Sequence, residues 1–157
     1  MPERVYKRAY ATFRICGPAL DPLDVTLALR LPPDHTHRAG EPRLRRTRGG
    51  AVSELSQYRE GQWSMSSEPW VKSPRLAVHL DWLLGQLEPR AQAVAALGRK
   101  GVRMDFFCYS LGSTAEPPSL PRSIRSRASA LAVAVEIDHY CVSESPDAAP
   151  GTLGEPK

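Results

Sequence analysis

Residues 75–88, RLAVHLDWLLGQLE, place the strongest constraint on what this chain can fold into. Leu76, Leu80, Leu83, Leu84 and Leu87 recur at helical spacing as one apolar stripe, with Asp81, Gln86 and Glu88 off it. A helix of this kind is stable only if another element covers the stripe. Ser73 before Pro74 predicts a cap with proline at the first helical position, and Pro89 predicts the stop. His79 falls one residue before Leu80 and reads as a partly exposed histidine on the helix surface.

Three other stretches alternate with period two, the signature of half-buried strands. In residues 6–16, Ala9, Ala11, Phe13 and Ile15 oppose Tyr10, Thr12, Arg14 and Cys16. In residues 102–110, Val102, Met104, Phe106 and Cys108 oppose Arg103, Asp105, Phe107 and Tyr109. In residues 132–142, Val133, Val135, Ile137, His139 and Cys141 oppose Ala134, Glu136, Asp138 and Tyr140. Trp63 with Met65, and then Trp70 with Val71, suggest further strand.

Asp21-Pro22 opens a short helix that carries Leu23, Val25, Leu27 and Leu29, and Pro32-Pro33 closes it. Residues 90–99 form a second helical piece after Pro89. Residues 119–131 form another, with Leu120, Ile124, Ala128 and Leu131 inward. The order predicts an α+β fold, an antiparallel or mixed sheet with helices packed on one face. The first and last thirds share the rhythm of strand, proline turn and helix, which raises two pseudo-repeated halves as one arrangement, although residue identity between them is too low to claim a duplication.

A length of 157 residues suits one domain, expected over 1–142, and the small, polar, Pro/Gly-rich residues 143–157 are expected to form a disordered tail. Residues 35–61 are polar and arginine-rich, and predict a long loop or an edge hairpin. No apolar run approaches the roughly 18 residues of a membrane span, and no signal-like apolar segment stands near residue 1, so a soluble cytoplasmic protein is expected. Cys16, Cys108 and Cys141 show no ligand spacing and read as buried free thiols.

The residues do not spell out a reaction. No phosphate-loop, dinucleotide, serine-hydrolase or zincin motif occurs, and no pair of carboxylates has a spacing that requires acid–base work. No catalytic residue, cofactor or metal is assigned. His35 and His37 read as solvated loop histidines rather than metal ligands, because the surrounding arginines repel a cation. His139 reads as a core histidine; its pairing with Cys108 or Cys141 as base and nucleophile is the enzymatic alternative. The net charge of +4 is modest, and its densest expression is Arg38, Arg43, Arg45, Arg46 and Arg48. No aromatic residue is interleaved with these arginines, as a stacking nucleic-acid surface would want.

Read in order, YATFRICG, DPLDVTLALRLPPD with Gly40 beyond it, GQWSMSSE, HLDWLLGQLEP and EIDHY resemble the bacterial family known as domain of unknown function 4279, over residues 10–140. The resemblance implies an uncharacterised domain, some of whose members are suspected to be immunity proteins that neutralise a toxin, and it carries no catalytic residue onto this chain. The expectation is a non-enzymatic binding protein with a protein partner, plausibly a toxin. Its contact surface is expected at Arg43, Arg45, Arg46 and Arg48 with Trp63 or Trp70. The alternative is a small nucleic-acid-associated domain using the same arginines.

Overall fold

The computed structural model describes residues 5–142. The expected tail at 143–157 lies outside the described residues. β1 (Tyr6–Gly17) leads into α1 (Pro22–Leu29), then β2 (His35–His37), β3 (Pro42–Arg46), β4 (Val52–Gln57) and β5 (Gly61–Ser66). α2 (Leu76–Leu87) continues through a 3-10 turn at Glu88–Arg90 into α3 (Ala91–Gly98), and β6 (Arg103–Gly112), α4 (Arg122–Ala130) and β7 (Ala134–Cys141) follow. The fold is α+β, as the patterning predicts.

Five strands form one mixed sheet in the order β2-β5-β1-β6-β7, and β3 with β4 makes a separate two-stranded sheet. All neighbours in the large sheet are antiparallel except β6 and β7. Because β5 opposes both β1 and β2, those two strands run the same way. The repeated rhythm therefore corresponds to two strand–helix–strand units, β1-α1-β2 with β5 inserted and β6-α4-β7 with its strands adjacent.

The alternating residues sort as expected onto two faces. Ala9, Ala11, Phe13 and Ile15 of β1, Trp63 and Met65 of β5, and Phe106 and Cys108 of β6 are buried under the helices. α2 contributes Leu76, Leu80, Leu83, Leu84 and Leu87 to the same core. Each such fully buried leucine side chain contributes about 1.5–3 kcal/mol through its removal from water. Arg90 bonds the Leu29 carbonyl through Nε (2.6 Å) and the Gln86 carbonyl (2.8 Å), fastening the ends of α1 and α2 together.

Several local expectations are corrected. α2 begins at Leu76, not at Pro74; Arg75 occupies the cap position, and the Ser73 hydroxyl accepts from the Arg75 amide (3.1 Å). Trp70 and Val71 lie in a turn whose amides bond the Ser67 carbonyl, not in a strand. Of the two readings of residues 35–61, the hairpin holds and the loop does not: the stretch carries β2 and the β3–β4 hairpin. His79 is buried, because its spacing of three from Leu76 puts it on the apolar stripe rather than beside it. Cys141 is exposed at the last position of an edge strand, and Cys16 is half-buried on the uncovered face; burial holds only for Cys108.

Candidate partner-binding surface

The β3–β4 hairpin grows from the β2 end of the sheet, and all five residues of β3 are exposed. Leu44 opposes Glu54, Arg45 opposes Ser53 and Arg46 opposes Val52. Side chains alternate across a ribbon, so Leu44, Arg46 and Val52 share one face while Arg43 and Arg45 share the other. Leu44 and Val52 are 67% and 58% exposed, values that mark aliphatic surface left uncovered by this chain. At the base, the Gly40 amide bonds the Tyr58 carbonyl (2.8 Å) and the Tyr58 amide bonds the Glu41 carbonyl (2.9 Å). The Arg43 guanidinium sits 5.6 Å from the Tyr58 ring centroid, and the His37 ring stacks on that same ring with centroids 3.5 Å apart.

Among the described residues, Arg43, Arg45, Arg46 and Arg48 make no ion pair. Five arginines elsewhere find carboxylates: Arg8 with Glu68, Arg14 with Asp105, Arg38 with Asp21, Arg103 with Glu60, and Arg127 with Glu88 and Asp81. Other arginines, Arg59, Arg122 and Arg125 among them, likewise make no ion pair among the described residues; on the ribbon four such arginines fall between positions 43 and 48.

The two tryptophans expected as anchors separate. Trp63 is fully buried, and its indole N–H donates to Thr26 Oγ1 (3.0 Å), so it is removed from any contact surface. Its alternation with Met65 on β5 is the signal that could have placed it inside. Trp70 is 67% exposed and stacks on Trp82 with centroids 6.2 Å apart. Pro32, Pro33, Met65 and Gln86 complete a notch there of about 380 Å³.

The uncovered face of the sheet carries a second group that sequence reasoning does not single out. Tyr10 and Tyr109 are register partners and stack at 5.0 Å, Tyr140 lies 5.5 Å from Tyr109, and the Arg8 guanidinium lies 5.8 Å from the Tyr10 ring and 5.7 Å from that of Tyr109. Beside them Arg14 grips Asp105 through two bonds of 2.8 and 2.7 Å and lies 4.8 Å from the Phe107 ring. The pattern of alternate positions is visible in each strand; the convergence depends on register.

The geometry leaves no thiol–imidazole dyad. His139 faces Ser110 Oγ (3.1 Å) and the Thr114 carbonyl (2.8 Å), so both ring nitrogens are occupied by other groups. Burial pushes the Cys108 thiol up to about 12, far from the thiolate that a nucleophile needs. The His35 and His37 rings, read as solvated, lie on β2, and His37 is buried under Tyr58. No group of three or more His, Cys, Asp or Glu that could hold a metal is present among the described residues. No described helix is long and apolar enough to cross a membrane.

No curated protein and no solved structure gives a significant match to this chain. The sequence profile described as Domain of unknown function (DUF4279) matches residues 6–142, which is most of the 157 residues and spans every element from β1 to β7. The chain therefore belongs to the DUF4279 family.

Proposed function

We propose that this is a cytoplasmic, non-enzymatic binding protein of the immunity type, which neutralises a partner toxin by covering part of its surface. The observation that carries the reading is the exposed ribbon on which Arg43, Arg45, Arg46 and Arg48 stand without a carboxylate partner among the described residues, beside the uncovered Leu44 and Val52. Arginine with adjoining aliphatic surface is the composition of a protein interface, where an apolar centre holds the complex and charge steers its formation. The matching surface on the partner is acidic with an apolar patch. Trp70, exposed over its notch, is the second candidate anchor.

A nucleic-acid reading draws on the shape of the same element, since a two-stranded ribbon fits the major groove of a duplex. The aliphatic pair on the ribbon favours the protein reading, because phosphate contacts gain nothing from Leu44 and Val52.

The experiment is capture of the full-length protein's partner from nuclease-treated host lysate, followed by association kinetics with the purified partner. Arg45→Glu with Arg46→Glu is expected to slow association by about tenfold and to leave the folding midpoint unchanged. Unchanged kinetics would remove the ribbon from the interface, and a complex abolished by nuclease would transfer the ribbon to nucleic acid.

A further inference from the structure

We propose that His35 and His37 form a two-imidazole site for a late first-row divalent cation at the base of the β3–β4 ribbon. The inference goes beyond the binding reading and does not depend on it. The two histidines are two residues apart on β2, paired with Ser64 and Gln62 of β5, so both project from one face of the strand. Nε2 of His35 lies 2.9 Å from Nδ1 of His37, with the rings inclined at 67°.

That separation is a hydrogen bond between the two rings, and it is also close to the chord that a cis chelate spans. Two imidazole nitrogens each about 2.0–2.1 Å from a metal, bound cis at roughly 90°, stand about 2.9 Å apart. Two imidazoles with open neighbouring positions suit late first-row ions such as Cu²⁺ and Ni²⁺.

The rest of the surroundings suit a ligand pair. The Tyr58 ring lies parallel to that of His37 with centroids 3.5 Å apart, which fixes the plane of the imidazole. Arg38, which directly follows His37, is paired with Asp21, and that pairing offsets its charge beside the site. His35 is exposed and gives solvent access. On binding, the proton shared between the two nitrogens passes to Nδ1 of His35, and water or an external ligand takes the remaining metal positions.

The test is titration of Ni²⁺ alone into the full-length protein at about pH 7.5, read by calorimetry and by paramagnetic loss of histidine ring NMR signals. The expected result is one Ni²⁺ per chain, with the His35 and His37 signals lost and those of His79 and His139 retained. His35→Ala, at an exposed position, is expected to keep the folding midpoint and to weaken binding tenfold or more, while Cys141→Ser binds as the wild type does. Equal affinity in His35→Ala, loss of binding in Cys141→Ser, or no wild-type binding below about 1 mM would each overturn the site.

Discussion

The Ser67 hydroxyl lies 2.7 Å from Nδ1 of His79, and this pair joins three segments in the core. Nε2 of His79 stands 2.8 Å from the Ser73 carbonyl, so it carries the proton and donates there. Nδ1 is left to accept from Ser67, whose oxygen also receives the Ala11 amide of β1 (3.0 Å). One buried imidazole thereby fixes β1, the turn after β5 and the start of α2.

Acid should loosen this arrangement. Burial lowers the His79 pKa, and the same cause lowers that of His37. The folded state therefore holds neutral imidazoles that the unfolded chain protonates below its ordinary value of about 6.5. Stability is fully present above that pH and falls as pH drops below it, by up to about 1.4 kcal/mol per pH unit for each proton taken up on unfolding. Urea midpoints at about pH 7.5 and about pH 5.5 measure the slope. His79→Gln should flatten it and leave the His37 share; an unaltered slope would mean that His79 is not the group responsible.

Arg14 and Asp105 are joined by a planar, two-bond fork across β1 and β6 on the uncovered face. The Asp105 hydrogen bond holds the guanidinium charged. Both side chains remain partly exposed, so solvent screening limits the coupling to about 1 kcal/mol. Arg14→Lys keeps the charge but cannot reproduce the fork, and should lose most of that coupling. A double-mutant cycle with Asp105→Asn, read from denaturation midpoints, isolates it. A coupling near zero would reduce the pair to a surface contact without energetic weight.

The three cysteines should respond to thiol reagents very differently. Cys141 is exposed and is expected to label first under native conditions. Cys16 is half-buried, its thiol pushed up by burial, and should label slowly. Cys108, at about 12, should label only as the protein unfolds. Mass spectrometry of time points separates the three, and early modification of Cys108 would contradict its placement beneath the helices.

Period two is readable wherever one face of a strand is covered and the other is not, which is why β1, β6 and β7 can be divided residue by residue. The leucine stripe of α2 is equally plain. The hairpin escapes definition because a strand such as β3, exposed on both faces, leaves no alternation for its pairing to impose on sequence: PRLRR reads as loop whether or not it is paired. Trp63 and Trp70 look alike in isolation, and only the strand beneath Trp63 and the turn beneath Trp70 send one inward and one outward. The Tyr10–Tyr109–Tyr140 row is invisible for a different reason, since three separate strands supply it and no single segment encodes their register.

Two glycines with opposite surroundings give a final check on the packing. A Cβ at Gly61 would press into the Leu20 carbonyl oxygen and lie 3.1 Å from Leu20 Cβ, where β5 starts against the turn that leads into α1. A backbone carbonyl cannot swing aside as a flexible side chain can, so Gly61→Ala should cost about 1–3 kcal/mol. Gly85 sits exposed inside α2 with nothing within 4 Å of where an added methyl group would stand. There alanine clashes with nothing and removes glycine's excess freedom in the unfolded chain, so Gly85→Ala should stabilise by about 0.5–1 kcal/mol. Thermal or urea denaturation of the two variants reads both signs at once. A neutral Gly61→Ala would show that the β5 start and the 17–21 turn are further apart in solution, and a destabilising Gly85→Ala would show that the outer face of α2 is covered.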